Sequence, residues 1–150
     1  MDRVDLEIIK CLKEHSRMNA TAIGEKISLS TSAVIERIKK LENDNIISQY
    51  TILINHEKIN KGLIAYVSVS IEHPKYDANF RKLISENEEI VEAHYVTGKY
   101  DYLLKLITEN SKSLEGVLNY VKCIQGVSDT ETFIVMSTIK NEISSLPTPQ

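Results

Sequence analysis

The stretch VTGKYDYLL, Val96 to Leu104, brings together three residue types that could do chemistry. Gly98 supplies a flexible backbone, Tyr100 a phenol and Asp101 a carboxylate, all at the bend between two apolar runs. A hairpin needs a turn residue at such a bend, but it does not need a tyrosine and an aspartate against its second strand. The stretch is therefore a candidate binding site. The alternative is a well-capped hairpin in which Asp101 bonds its own backbone.

A second group of polar side chains lies on TSAVIERIKKLEND, a predicted helix that Ser30 can cap. Val34, Ile38 and Leu41 recur at i, i+4 and i+7, which predicts one buried face. The opposite face begins with small polar residues and continues with basic ones, as in a helix that enters the major groove of DNA. The candidate DNA-binding residues are Ser30, Thr31, Ser32, Ile35, Glu36, Arg37, Lys39 and Lys40. Periodicity alone does not separate this interpretation from an ordinary solvated face.

Within this set we expect two different roles. Ser32, Glu36 and Lys39, with Thr31, are predicted to face base edges. Arg37 and Lys40 flank that face and are predicted mainly to hold phosphates.

The charge distribution does not exclude nucleic acid as a partner. The chain of 150 residues has a net charge of −3, but its first 55 residues carry eight basic and eight acidic side chains. The remaining ten basic and thirteen acidic residues account for the whole deficit. A neutral N-terminal part can still bind DNA if its positive charges are gathered on one face.

No group of residues indicates catalysis or metal binding. The sequence has no Gly-rich phosphate loop or paired catalytic carboxylates, and its four histidines lack i, i+4 spacing. Cys11 and Cys123 lie far apart in helical patterns, so we expect two buried thiols, which suit a reducing cytoplasm. We expect no cofactor and no metal. The apolar runs are strand-sized, so no transmembrane helix is expected.

The elements that must position the polar helix face form a three-helix pattern. A helix capped by Asp2 or Asp5 comes first, and a second follows near residues 20–27. A tight turn, Ser28 to Ser30, then leads into the third helix. Asn45 tolerates the left-handed conformation that ends helices, and Ile46 to Ile54 has a β-like pattern. Together these predict a winged helix-turn-helix over residues 1–54, against the alternative of an ordinary helical subdomain.

The elements around VTGKYDYLL predict a different architecture after a polar linker over residues 55–62. Residues 63–143 have the order strand, helix, strand, strand, helix, strand, with the last strand expected over VSDTETFIVMSTIK. This βαββαβ order predicts a ferredoxin-like antiparallel sheet with both helices on one face, so the fold class is α+β. Residues 144–150, with Pro147 and Pro149, are expected to be a frayed tail.

Apolar residues occur on both faces of the strands before and after the turn. Ile90 and Val96 are expected on one face of their strand and Ala93 and Tyr95 on the other. If both are central strands, the sheet must be covered on both sides, and two helices cover only one. A homodimer packed sheet against sheet would cover the other.

These motifs together resemble the Lrp/AsnC family, also called feast/famine regulatory proteins, over nearly the whole chain. DRVDLEIIKCL is similar to the opening helix of the family and LSTSAVIERIKKLE to its recognition helix. Val96 to Leu104 resembles the Gly-x-Tyr/Phe-Asp-Tyr motif, and Gly126 to Met136 the last strand. One departure is mild: Asn45 stands where members usually have glycine.

The resemblance implies a cytoplasmic transcription regulator that binds double-stranded DNA, responds to an amino acid or a similar small effector, and forms homodimers, often octamers. It also implies that small effectors bind at the Gly-x-x-Asp turn, where dimers meet. On this chain the effector-binding residues would be Gly98, Tyr100, Asp101 and Thr132. The backbone at Gly98 would bind the carboxylate of an amino acid, Asp101 would accept from its ammonium, and Tyr100 and Thr132 would close the pocket.

Two other classes of function compete with this expectation. Sirohaem decarboxylases and dimeric α+β barrel oxygenases use related folds, so an enzyme is one alternative. A protein that wraps DNA with little sequence choice and no effector is the other. Haem-type absorbance would favour an enzyme, and specific DNA retention a regulator.

Overall fold

The computed structural model describes residues 1–146, which form two compact units. The first comprises Met1–Leu53 and the segment that begins at Lys140, and the second comprises Ile54–Ile139. The end of the expected tail, residues 147–150, lies outside the described residues. Among the described helices, none is long and apolar enough to cross a membrane.

The first unit contains three helices, α1 (Arg3–Glu14), α2 (Ala20–Ile27) and α3 (Thr31–Asn43). Each begins where a polar side chain accepts a hydrogen bond from a backbone N–H that the helix leaves free: Asp2 caps α1, Asn19 caps α2 and Ser30 caps α3. The apolar stripes of the three helices meet in one core, formed by Ile8, Cys11, Ile23, Val34 and Leu41.

The turn between α2 and α3 depends on a close approach of backbone atoms. Ser28 takes the left-handed conformation (φ 59°) and ends α2. A Cβ at Gly24 would lie 2.5 Å from the carbonyl oxygen of Leu29, so only glycine fits there without a shift. The turn therefore sets α3 against α2, as a helix-turn-helix requires.

The prediction of a strand over Ile46 to Ile54 is wrong, because the single chain forms no strand there. The left-handed Asn45 (φ 55°) does end the helical region as predicted. A β-like pattern becomes a strand only when a second strand accepts its hydrogen bonds, and among residues 1–146 this segment has no such neighbour. Its apolar side chains are left exposed, including Tyr50, Ile52 at 76% and Leu53.

The second unit has the predicted βαββαβ order. Its elements are β1 (Leu63–Ile71), α4 (Asp77–Ser85), β2 (Ile90–Tyr95), β3 (Tyr102–Thr108), α5 (Ser111–Lys122) and β4 (Val127–Ile134). The strands form one antiparallel sheet in the order β2-β3-β1-β4. Within the segment expected to be a linker, Asn55 caps a 3-10 turn over His56–Ile59.

Both helices pack on one face of the sheet, as predicted. Alternate residues of β1, namely Ala65, Val67 and Val69, are fully buried beneath them. Their partners on β3 are Leu106, Leu104 and Tyr102, which extend the same face. The other face, hereafter the open face, carries the alternate residues Ile64, Tyr66, Ser68, Glu92, His94, Leu103, Lys105, Ile107, Glu131 and Phe133.

Three expectations about the strands are wrong. β2 is an edge strand and not a central one, because among the described strands only β3 pairs with it. A bulge between Ile90 and Glu92 shifts the register, so Ile90 packs toward the helices with Ala93 and not on the opposite face. β4 ends at Ile134: the N–H of Val135 still donates to the carbonyl oxygen of Ile64 at 2.9 Å, but residues 135–140, which were expected to continue the strand, are not in one.

The expectation of two buried thiols is half right. Cys11 is buried in the core of the first unit, whereas Cys123 is exposed at the end of α5. The apolar stripe of α5 runs through Val117 and Val121, and Cys123 falls outside it.

Candidate functional sites

The N-terminal end of α3 carries a cluster of small hydroxyl side chains. Ser30 accepts a hydrogen bond from the backbone N–H of Ala33 at 3.2 Å, and its Oγ lies 3.1 Å from Oγ of Ser32. Thr31 donates to Thr21 on α2, with 3.3 Å between the two Oγ1 atoms. Ser30, Thr31 and Ser32 are all exposed, so this end of the helix offers hydroxyl donors and acceptors to a ligand.

The outward face of α3 continues through larger exposed side chains. Ile35 is 43% exposed, and Glu36, Lys39 and Lys40 are exposed as well. None of these three charged side chains takes part in an ion pair with residues 1–146. Their charges are therefore available to a partner, which is what contact with phosphates or base edges requires.

Arg37 has a different environment from the other candidates on α3. Its Nη1 lies 2.7 Å from Oδ2 of Asp2 and 2.7 Å from Oδ1 of Asp5. The side chain of Asp5 is only 9% exposed, so its charge needs this partner. Asp2 first, and then Asp5, raise the pKa of Arg37 by accepting its hydrogen bonds. This geometry favours a structural role for Arg37, joining α3 to α1, over the predicted phosphate contact.

The same two carboxylates close the N-terminus of α1. The side chain of Asp2 accepts from the backbone N–H of Asp5, and the side chain of Asp5 accepts from that of Asp2, both at 2.9 Å. The N–H of Asp5, followed by the Arg37 guanidinium, lowers the pKa of Asp2 to about 2. Sequence reasoning found the cap but missed the link to α3. The sequence offered one signal for this link, namely that Arg37 stands next to the buried stripe of α3.

The candidate ligand-binding turn is fastened to the neighbouring strand by Asp101. Its backbone N–H donates to the carbonyl oxygen of Val69 at 2.9 Å. Its Oδ2 accepts from the backbone N–H of Ile71 at 2.7 Å, at the irregularity where the pairing of β1 and β4 shifts. The side chain of Asp101 therefore bonds the backbone of β1, while its carbonyl oxygen accepts from the N–H of Val96 across its own turn at 2.9 Å. Together these bonds hold the turn in one position.

The other residues of the turn are more open. Gly98 has φ +121°, a conformation that favours glycine, and no atom lies within 4 Å of where a Cβ would stand. Tyr100 is half-buried, and Nζ of Lys99 lies 3.1 Å from its hydroxyl and 4.8 Å from its ring centroid. The backbone around Gly98 is thus accessible to a ligand.

Thr132 does not join this turn directly. It lies on β4, half-buried opposite Val67 of β1, whereas the turn follows β2 on the other side of β1. The structure brings Gly98, Tyr100 and Asp101 into one turn between β2 and β3. Thr132 lies on β4, which β1 separates from β3.

Sequence reasoning missed a polar cluster between α4 and β3. The hydroxyl of Tyr102 donates to Asp77, and Nε of Arg81 lies 2.8 Å from that hydroxyl and 2.7 Å from Oδ2 of Asp77. Burial, and then Asp77, raise the pKa of Tyr102 to about 12. The i, i+4 spacing of Asp77 and Arg81 was the available signal, but nothing in the sequence joined that pair to Tyr102.

Comparison with known proteins assigns both units to described domains. The AsnC-type helix-turn-helix domain matches residues 1–42, and the Lrp/AsnC ligand binding domain matches residues 64–144. The HTH-type transcriptional regulator FL11 of Pyrococcus abyssi is 33% identical over 147 residues, which cover 98% of this chain and 96% of that protein. The leucine-responsive regulatory protein of Escherichia coli K12 is 29% identical over 143 residues, 93% of this chain and 87% of that one.

A solved structure agrees over nearly the whole length. The crystal structure of a transcriptional regulator from Neisseria meningitidis in complex with L-Met has a TM-score of 0.92 and 29% identity, covering 97% of this chain and 96% of that one. These relatives are transcriptional regulators, which sets aside the enzymatic alternatives. With its helix-turn-helix, its βαββαβ sheet and these matches, the chain belongs to the Lrp/AsnC family of DNA-binding transcriptional regulators.

Proposed function

We propose that this protein binds its DNA through the outward face of α3 as a homodimer, and that an amino acid bound at the Gly98–Asp101 turn changes how its dimers assemble. The exposed face of α3, with charges that no ion pair engages among the described residues, carries the DNA part of the proposal. The effector part rests on the chemistry of the turn.

On α3, Ser32, Glu36 and Lys39, with Thr31, contact base edges, and Lys40 holds a phosphate. Small hydroxyls at the leading end of a helix let its backbone come close to the groove, and longer charged side chains behind them reach bases and phosphates. Ser30 and Ile35 lie beside these residues and complete the surface. Arg37 stays with Asp2 and Asp5, and supports the helix without touching DNA.

Dimer formation is supported by apolar side chains that the single chain leaves without cover. On the open face, Phe133 is 52% exposed beside Tyr66, and Tyr66, Ile64 and Leu103 are half-buried. Face-to-face packing of two sheets would bury these side chains and give the assembly a closed interface. A dimer would also present two α3 helices to a near-palindromic site, which a neutral DNA-binding unit needs for useful affinity. Assembly of dimers into octamers or larger rings extends the same proposal.

The effector part follows from matching charges. An amino acid presents a carboxylate and an ammonium a few ångströms apart. The open backbone at Gly98 offers N–H groups to the first, and Asp101 offers a carboxylate to the second. Tyr100 and Thr132 contribute from the two sides once a second dimer closes the site. The relative from Neisseria meningitidis, solved with L-Met, supports an amino acid as the ligand class.

The test is a mobility-shift titration on the DNA upstream of the protein's own gene, with and without each standard amino acid. We expect binding that competitor DNA does not displace and that at least one amino acid alters. Glu36→Ala and Lys39→Ala should relax sequence choice, whereas Lys122→Ala, an exposed control on α5, should not. Binding that is equal on all sequences and insensitive to every amino acid would instead identify a DNA-wrapping protein without an effector.

A further inference from the structure

A cleft separate from the Gly98–Asp101 turn lies between α4 and the edge strand β2. Its volume is ≈ 380 Å³, within the lower part of the range of small-molecule sites. Phe80, Ile84 and Ile90 form its apolar part, Tyr95 and Tyr102 form an aromatic wall, and Arg81 stands at the rim. The cleft is open to a ligand because, within the part of the chain that the structure describes, no further strand lies beside β2.

The guanidinium of Arg81 is held in place before any ligand arrives. Its Nε contacts both Asp77, at 2.7 Å, and the hydroxyl of Tyr102, at 2.8 Å. Its Cζ lies 5.4 Å from the ring centroid of Tyr95 and 5.5 Å from that of Tyr102. These positioning contacts use Nε and the flat face of the group. The donors on the two terminal nitrogens are a different part of the side chain, which is 55% exposed, and they form a fork that fits a carboxylate.

One end of the aromatic wall is exposed. The ring centroids of Phe80 and Tyr102 are 4.7 Å apart and those of Tyr95 and Tyr102 are 5.3 Å apart, so the three tilted rings form one contact group. Phe80 and Tyr102 are buried, but Tyr95 at the end of the group is 68% exposed. A flat or branched apolar group placed in the cleft would cover Tyr95 and meet Ile84 and Ile90 behind it.

From the positioned Arg81 and the partly exposed aromatic wall, we infer that the cleft is a second ligand site, which binds a small organic monocarboxylate with an apolar side chain. The carboxylate would meet the terminal nitrogens of Arg81, and the apolar part would lie against Tyr95 and Ile84. Asp77 balances the charge of Arg81, and Glu92, which also lines the cleft, is paired with Lys105 at 2.7 Å. The local charge is therefore near neutral, which disfavours a dianion such as a phosphate monoester. The inference does not depend on the amino-acid site proposed above, because the cleft shares no residue with it.

The experiment is calorimetric titration of the full-length protein with 3-phenylpropanoate and, separately, with its neutral amide. We expect the acid to bind and the amide to bind at least about tenfold more weakly, the loss that follows from one charge-assisted pair. Arg81→Gln should reduce the affinity for the acid to that for the amide. Lys82→Gln, the matched change at the next position of α4, should leave it unchanged, and so should Asp101→Asn at the proposed amino-acid site.

A second variant tests the cleft by its volume. Ala93 lines the cleft and is exposed, so Ala93→Phe should fill the space and abolish binding of both acid and amide without touching Arg81. The inference is overturned if wild type binds neither compound at millimolar concentration, if acid and amide bind equally, or if Arg81→Gln and Ala93→Phe bind the acid as wild type does.

Discussion

The Nη1 atom of Arg37 on α3 lies 2.7 Å from Oδ1 of Asp5 on α1, a carboxylate whose side chain is 9% exposed. A charge that is nearly out of contact with water needs a partner, and here the partner comes from the helix that we propose contacts DNA. The orientation of α3 therefore depends on an ion pair on its inner side. In our proposal, DNA binding depends on other side chains of the same helix.

This relationship predicts separate effects for neighbouring basic residues of α3. Arg37→Gln should lower the melting temperature of the protein but leave the salt dependence of DNA binding unchanged at temperatures where the variant is folded. Lys40→Gln should do the opposite, reducing the slope of log K against log salt by about one, as expected for one lost phosphate contact. Thermal melts and salt titrations on the same samples measure both. A reduced salt slope in folded Arg37→Gln would contradict this and would support the phosphate contact that the sequence predicted for Arg37.

Removal of Asp5, the carboxylate partner of Arg37, should destabilise the folded chain. Asp5→Ala deletes the hydrogen bond to the N–H of Asp2 and leaves Arg37 with one carboxylate, and we expect a loss of about 1–3 kcal/mol in the free energy of unfolding. Urea titration followed by circular dichroism measures it. Glu25→Ala, an exposed change on α2, is the control and should cost little. An Asp5→Ala variant as stable as that control would show that the capping box and the ion pair contribute nothing.

Acid should weaken the same region through Asp2. Its pKa is lowered to about 2 in the folded chain from an ordinary value of 3.8, so folding favours the carboxylate form. That contribution is complete well above pH 3.8 and is lost as the pH falls from there toward 2. Melting temperatures between pH 6 and 2.5 should fall less steeply for Asp2→Asn than for wild type. Parallel curves would contradict the assignment.

Replacement of glycine by alanine should change the stability of the protein differently at three positions. Gly98→Ala forces a side chain into φ +121° without a clash, so we expect a loss of about 1–2 kcal/mol. Gly126→Ala should be worse, because φ is +94° and the new Cβ would overlap the side chain of Tyr76. Gly116→Ala, inside α5 with open space around it, should stabilise by about 0.5–1 kcal/mol. Chemical denaturation of the three variants gives the order, and a Gly98→Ala loss as large as that of Gly126→Ala would contradict it.

The helices and the order of elements could be predicted from the sequence because they depend on local signals. Caps such as Ser30 and stripes such as Val34, Ile38 and Leu41 act within one helix, and the alternation of Ala65, Val67 and Val69 acts within one strand. The same reasoning failed for Ile46 to Ile54 because a strand is defined by its neighbour, and the sequence does not say where that neighbour is.

The sites were less predictable for a related reason. The sequence identifies a turn with an aspartate, but the register of β1 against β3 decides that Asp101 meets the N–H of Ile71. Likewise the role of Arg37 was predicted from its position on the helix face alone, whereas its partners Asp5 and Asp2 are 32 and 35 residues away in the sequence. Long-range pairing of this kind depends on how the helices pack, and periodicity within one helix carries no information about it.

We propose above that the Gly98–Asp101 turn binds an amino acid between dimers and so controls assembly. Asp101→Asn is the sharpest variant, because an amide oxygen can still accept from the N–H of Ile71 while the charge that pairs with an ammonium is gone. A ligand shifts an assembly only through different affinities for its states, so losing the charge should remove the shift and spare the dimer.

The most direct measurement is therefore light scattering together with promoter affinity across a panel of amino acids, for wild type and Asp101→Asn side by side. We predict that at least one amino acid changes the oligomer size and DNA affinity of wild type. In Asp101→Asn the same amino acid should have a much weaker effect, while DNA binding without it stays near that of wild type. An equal response in both proteins, or a wild-type protein that stays a monomer at micromolar concentration, would contradict the account.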